Sequence, residues 1–300
     1  MPSQAMQDVI DILRDRQRAT AGQAPPPLAE RRAAFVPGDR LHPVPDDVVV
    51  SEVTAGQVPA HWLAAPGTDD GRVLLFLHGG GYEFGSLRSD GELAARLGRA
   101  GRTRVLFPEY RLAPEHPYPA AIDDVVAAYR WLRTDQGLSA RSIAVAGASA
   151  GGGLTVALLL AMRDAGEPLP AVAVLMSPTV DLTSSGASMT ERAERDPIST
   201  PAMLRQFASD YLAGADPKTP LASPLFGSLA GLPPLLVQVG TADLLLSDSE
   251  RLAAAAVQAG VDVTLEIGDD LPHVYQLLLG TPEAAEATER IGKFLRTRVH

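Results

Sequence analysis

A chain of 300 residues, 46% hydrophobic and 21% charged, has the make-up of a globular protein, and its length suits one large α/β sheet. A formal net charge of −10, with acids and bases interspersed, argues against nucleic acid as a partner, and the absence of cysteine removes disulfides and thiolate chemistry. The first residues carry no basic stretch followed by an apolar core, and no apolar run approaches a membrane span, so the expectation is a cytoplasmic protein with no membrane partner.

Residues 1–45 read as a separate layer. Val9, Ile10, Ile12 and Leu13 can share a helical face, Ala24-Pro25-Pro26-Pro27 breaks that helix, and 28–35 can form a second short one. At about residue 46 the pattern changes to period two and short apolar runs. Residues 48–53 and 58–64 read as a hairpin around Ala55-Gly56-Gln57. The run 72–77 is continuously apolar after Arg72, as a strand buried on both faces must be. Residues 104–107, 143–146, 171–176 and 234–239 repeat that pattern, and 261–267 closes the series with an alternating one, giving eight predicted strands. Helical segments fall between them at 87–100, 120–136, 150–165, 247–259 and 282–297. Strand–helix alternation predicts right-handed crossovers and a mostly parallel sheet covered on both faces. The interval 179–232 breaks the alternation. It is long, polar and proline-punctuated, with helical stretches at 188–195 and 201–212, and reads as a lid above the carboxyl edge of the sheet. The predicted organisation is therefore 1–45 as the N-terminal part of a cap, 46–178 and 233–300 as two parts of one core, and 179–232 as a cap insertion.

The sequence Gly147-Ala148-Ser149-Ala150-Gly151 ends the strand at 143–146 and opens the helix at 150–165. Small residues on either side of Ser149 allow strand and helix to meet in a sharp turn that lifts the hydroxyl clear of the sheet. A serine hydroxyl is a weak nucleophile unless a base takes its proton and an acid holds that base. On such an elbow the partners follow in the order acid, then histidine. Of His42, His61, His78, His116, His273 and His300, only the last two follow Ser149 and a carboxylate, and His300 ends the chain. His273, just past the last predicted strand, is therefore the expected base. Asp243 follows the run 234–239 and is the favoured acid; Asp181, after the run 171–176, is its rival. Asp248 and Glu250 fall about a turn into the next helix and read as a cap or as solvated charges. The backbone N–H groups of Gly80 and Gly81, in His78-Gly79-Gly80-Gly81, together with that of Ala150, can hold an oxyanion; Gly79 is a weaker candidate donor.

Three stretches, His78-Gly79-Gly80-Gly81-Tyr82, the segment from Tyr110-Arg111-Leu112-Ala113-Pro114 through Ala121, and 147–152, resemble the hormone-sensitive-lipase-like bacterial carboxylesterases, which are α/β-hydrolases. Asp243-Leu244-Leu245 and His273-Val274 fit the acid and base segments of that family, and the resemblance runs from about Asp47 to the end of the chain. It implies a carboxylesterase that needs no metal or cofactor, a helical cap, and a homodimer as a common assembly. Lactone hydrolases also occur among proteins of this kind. One departure is Ala148, where many members carry an acidic residue before the nucleophile. Glu109, Arg111, Glu115 and Asp124 are expected to form structural ion pairs beneath the site.

The expected activity is hydrolysis of short-chain carboxylic esters through an acyl-enzyme. A lactonase or amidase on the same triad is the alternative, and a small-molecule receptor that has lost the base is disfavoured by the presence of all three groups. The insertion supplies Leu182, Met189, Ile198, Met203, Leu204, Phe207, Tyr211 and Leu212, and Met203, Leu204, Phe207 and Tyr211 share one helical face. Tyr82, Met203 and Phe207 are the expected substrate contacts.

Overall fold

The computed structural model describes residues 1–20, 22–23, 26–35 and 42–300. Ala24 and Pro25 of the expected helix break lie outside the described residues. Eight strands form one sheet: β1 (Val49–Ala55), β2 (Val58–Ala64), β3 (Asp69–Leu77), β4 (Thr103–Pro108), β5 (Ile143–Ala148), β6 (Val172–Met176), β7 (Leu235–Gly240) and β8 (Val263–Gly268), in the spatial order β1-β2-β4-β3-β5-β6-β7-β8. The β1–β2 and β2–β4 pairs are antiparallel, and every pair from β4–β3 to β7–β8 is parallel. The sequence places all eight, with ends displaced by up to three residues. The largest displacement is at β3, where Asp69 pairs with Thr103 ahead of a register shift that ends at Val73.

Alternation along the central strands explains their unbroken apolar runs. Val73, Leu75 and Leu77 of β3 join one core with Ile143 and Val145 of β5, while Leu74 and Phe76 join another with Ala144 and Ala146. The first core is completed by α4 (Ala120–Thr134) and α5 (Ala150–Asp164), the second by α3 (Leu87–Gly101) and α9 (Pro282–Arg296). Where the sheet continues through β6 and β7, α5 and α8 (Leu246–Gln258) cover the side that α5 already occupies.

The N-terminal layer comprises α1 (Gln4–Thr20) and α2 (Leu28–Ala34). Met6 and Ile10 of α1 pack on Leu271, Tyr275, Leu278 and Ala287, so α1 docks beside the loop that follows β8. The buried face of α1 is Met6, Ile10 and Leu13; Ile12, expected on that face, is exposed. Arg32 fastens α2 to the core, donating to the carbonyls of Glu83 and Ala113 and to the Glu115 carboxylate. In the interval 179–232 the expected helix at 188–195 is only α6 (Ser188–Glu191). The chain leaves the helix at Arg192 (φ −108°, ψ 3°), and a tight turn follows with the Arg195 and Asp196 N–H groups on the Arg192 carbonyl. The second stretch is α7 (Pro201–Leu212), capped by the Thr200 hydroxyl on the Met203 N–H.

Arg96 of α3 ties this core to the loop after β8. Its guanidinium donates to Glu92 at 2.9 Å, to the Thr288 hydroxyl of α9, and to the Gln276 carbonyl at 2.7 Å. Replacing it leaves a buried carboxylate and a carbonyl without their donor. Arg96→Met should therefore lower the unfolding free energy by about 2 kcal/mol or more, read as the urea midpoint; an unchanged midpoint would show that the ion pair contributes nothing.

Candidate active site

Ser149 sits between β5 and α5 with φ 54° and ψ −118°, a strained backbone for a residue with a side chain. Two sets of bonds hold it there. Its N–H donates to the Met176 carbonyl at 2.8 Å, and its own carbonyl accepts from the N–H groups of Gly152, Gly153 and Thr179. Strand and helix meet closely: a Cβ on Gly147 would lie 2.1 Å from the Gly151 carbonyl oxygen, and one on Gly151 would lie 2.0 Å from that of Leu77. Glycine at both positions is a packing requirement of the elbow. Ala148, the departure in the motif, is buried in the core with Met176 and Val274, where its methyl takes no part in hydrogen bonding.

His273 follows β8 and Asp243 follows β7, as the sequence predicts. His273 Nε2 is 2.9 Å from Ser149 Oγ, and Nδ1 is 3.0 Å from Asp243 Oδ2 and 3.1 Å from Oδ1. An ionised carboxylate only accepts, so Nδ1 carries the proton and Nε2 accepts from the serine hydroxyl. Asp243 Oδ1 also accepts from the Leu245 N–H at 2.8 Å. The base is fixed from behind by the Val274 N–H, which donates to Ser177 Oγ at 3.0 Å. Burial pushes the imidazole pKa down, but the charge and hydrogen bond of Asp243 and the charge of Asp196 outweigh it, so the group ends above its ordinary value.

The other carboxylates are engaged elsewhere. Asp181 pairs with Arg251 at 2.8 Å and accepts from Thr183 and Ser185, with no hydrogen bond to His273. Asp248 is neither a cap of its own helix nor a solvated charge. It is buried and accepts from the Val180 and Asp181 N–H groups, and burial, helped by the charge of Asp181, pushes it up to about 7. Glu250 is exposed. His300 is bonded to Arg141 and Ser142 at the opposite edge of β5. Arg111 pairs with Asp124 at 2.7 Å, as expected, but Glu115 pairs with Arg32 of the N-terminal layer. Glu109 faces His61 at 3.6 Å and accepts from the Leu87 N–H.

The loop after β3 turns at Gly80 (φ 109°) and Gly81 (φ 62°). The N–H of Gly79 is spent on Asp90 at 3.3 Å, whereas those of Gly80 and Gly81 have no acceptor among the described residues. Ala150 is the first residue of α5, where a helix N–H has no intrahelical partner. The His78 ring lies away from the reacting centre. It stacks on Tyr110 at 4.1 Å, and its Nδ1 is 2.8 Å from the Gly79 carbonyl, which braces the loop.

A cavity of about 800 Å³ reaches Ser149 and His273, walled by Leu182, Met189, Ile198, Met203 and Phe207 of the 179–232 interval and by Leu13 of α1. Phe207 lies so close to the loop that a Cβ on Gly81 would be 2.2 Å from its ring. Tyr82 borders the cavity with its ring stacked on Tyr211 at 3.8 Å. Tyr211, expected on the face with Met203, Leu204 and Phe207, turns instead into the core with Leu212. One carboxylate at the site carries no motif in the sequence. Asp196, which precedes Pro197, is buried and accepts from the Leu244 N–H beside Asp243.

Comparison with known proteins agrees with this geometry. A family model described as the alpha/beta hydrolase fold matches residues 74–277. An acetyl-hydrolase of Streptomyces hygroscopicus is 49% identical over 256 residues, covering 84% of this chain and 83% of its own. An esterase from the bacterial hormone-sensitive lipase family superposes with a TM-score of 0.92 at 42% identity, covering 100% of both chains. A hormone-sensitive lipase from a metagenome library superposes with a TM-score of 0.91 at 37% identity, again covering 100% of both. The chain belongs to the α/β-hydrolase-fold family and, within it, to the bacterial hormone-sensitive-lipase-like carboxylesterases. Among the described residues no helix is long and apolar enough to cross a membrane.

The elbow can be tested without reference to activity. Gly151→Ala drives a methyl into two backbone carbonyls and should cost at least about 2 kcal/mol of stability by urea unfolding. A stability equal to the parent's would mean that the strand–helix approach is looser than described.

Proposed function

We propose that this carboxylesterase hydrolyses short-chain carboxylic esters through an acyl-enzyme on Ser149, with His273 as base, Asp243 as the acid that orients it, and the N–H groups of Gly80, Gly81 and Ala150 as the oxyanion hole. The carrying observation is the unbroken relay from Ser149 Oγ through His273 to Asp243, at 2.9 Å and 3.0 Å. As Ser149 Oγ attacks the ester carbonyl, its proton passes to Nε2, and the imidazolium is stabilised by the buried Asp243 carboxylate. The carbonyl oxygen becomes an anion that the N–H groups of Gly80, Gly81 and Ala150 stabilise, each such donor being worth about 3 kcal/mol of barrier. Collapse expels the alcohol, which takes the proton back from Nε2. A water then repeats the sequence on the acyl-enzyme, with Nε2 again accepting and returning one proton, and releases the carboxylic acid.

The interval 179–232 and the N-terminal helices act as a cap that sets substrate size. Met203, Phe207 and Tyr82 border the cavity, and Phe207 packed over Gly81 limits the room beside the oxyanion loop. The acyl group named for the Streptomyces relative is acetyl, which fits a short-acyl reading. Acetyl to hexanoyl p-nitrophenyl esters should be turned over best, with kcat/KM rising about fourfold for each methylene that fits, at about 0.8 kcal/mol each, before exclusion wins. Phe207→Ala should move the optimum to longer chains. An optimum beyond decanoyl in the parent would mean an open lipase groove.

Two further outcomes test the triad. Ser149→Ala should abolish turnover, and Asp243→Asn should cost about 10⁴ in kcat, because the amide favours the wrong imidazole tautomer. Asp181→Asn should leave activity within about twofold, since it breaks a contact outside the relay; a crippled Asp181→Asn with an active Asp243→Asn would transfer the acid role. Only neutral imidazole accepts the serine proton, so kcat/KM should rise with pH. The midpoint of that rise should sit above the ordinary histidine value, in the direction in which Asp243 and Asp196 move His273. A midpoint below that value would contradict the electrostatics described.

A further inference from the structure

Asp196 stands in the 179–232 interval, far from Asp243 in sequence, yet the two carboxylates share one run of backbone donors. The Leu244 N–H donates to Asp196 Oδ2 at 3.0 Å, and the next N–H, that of Leu245, donates to Asp243 Oδ1 at 2.8 Å. Asp196 Oδ1 accepts from Ile198 and Ser199, both at 2.8 Å, so the carboxylate is held on both sides and only 1% exposed. Its carbonyl accepts from Gln17 Nε2 of α1 at 3.2 Å, which brings the N-terminal layer to the same point. An Arg195–Asp270 ion pair joins the cap segment to the loop after β8 that carries His273.

We propose that Asp196 is a positioning residue for the reaction: a second carboxylate, supplied by the cap, that holds the loop of the acid in register and adds its charge to the field that stabilises the His273 imidazolium. The inference rests on the triad reading above. A buried carboxylate next to another of like charge is costly, and a neutral group would satisfy the two local turn donors as well. What a neutral group does not supply is negative charge beside an imidazole that must become cationic in both transition states.

The groups around Asp196 fit this reading. Asp243 opposes its ionisation and His273 favours it. From its own segment come the N–H of Ser199 and the nearby Arg195, whose guanidinium is taken by Asp270; α1 presents the neutral Gln17. Burial, with Asp243 adding to it, pushes Asp196 up to about 6, and the His273 charge and the Ser199 and Leu244 N–H groups hold it down. In turn Asp196 raises His273.

The test compares the parent with Asp196→Asn, Asp196→Ser and Asp196→Glu on p-nitrophenyl butyrate across pH, with active sites counted by organophosphate titration so that misfolded protein does not enter kcat. For the Asn and Ser enzymes kcat should fall about 10- to 100-fold with KM within threefold, the loss expected when a reacting group is held slightly out of place. The midpoint of the rise with pH should also fall by about half a unit or more, since a negative charge beside the imidazole is gone. Asp196→Glu should keep the parent midpoint while losing part of kcat. Loss of kcat with no shift of the midpoint in either neutral variant would reduce Asp196 to a structural cap, and parent-like kinetics would remove its role altogether. Ser149→Ala is measured in parallel. If it stays inactive while the Asp196 variants match the parent, only this inference falls; if it turns over, the triad reading falls and this inference with it.

Discussion

A buried imidazole between a carboxylate and a hydroxyl is the interaction on which the carboxyl edge of this protein depends. Each of its two nitrogens has one partner, and each partner comes from a different strand end. Asp243 follows β7, His273 follows β8 and Ser149 follows β5, so the relay exists only where the parallel register of β5 to β8 holds. The two-sided apolar core fixes that register, because a slip of one residue would exchange the core faces of every central strand. Core packing and catalytic geometry are thus two consequences of the same alternation of side chains.

Backbone strain is concentrated at the turn between β5 and α5. Ser149 adopts a backbone that a residue with a side chain avoids, and four backbone bonds to the neighbouring strand, helix and loop hold it there. The loop that carries Gly80 and Gly81 is likewise held from outside the reacting centre, by the His78 ring on one side and Asp90 on the other. In the proposed mechanism, donors whose orientation is fixed before substrate arrives need no reorganisation during the reaction.

The sheet and the triad were legible in the sequence because each rests on a local signal. Apolar runs such as 72–77 and 234–239 have no other low-energy place than a two-sided core, and the elbow glycines mark a turn that no other residue fits. Asp243, the carboxylate bonded to His273, was legible as a candidate from its place after a buried strand, and Asp181 differs from it by its contacts with Arg251, Thr183 and Ser185. What was not legible is long-range. Asp248 looked like a solvated charge because its two N–H donors lie about 67 residues away, at Val180 and Asp181. Tyr211 is spaced to lie with Phe207 but turns into the core and stacks on Tyr82, a contact that periodicity cannot rank. Asp196 carries no motif beyond the proline after it, and its partner at Leu244 lies 48 residues on.

The acyl-enzyme on Ser149 is the central claim, and trapping it is the most direct measurement. The enzyme would be mixed with excess p-nitrophenyl butyrate, quenched in acid within the first turnovers, digested and mapped by mass spectrometry. A butyryl group on the peptide containing Ser149, appearing with a stoichiometric release of p-nitrophenol, is the predicted result. Butyrate formed with no covalent adduct, or an adduct on any other residue, would contradict the account.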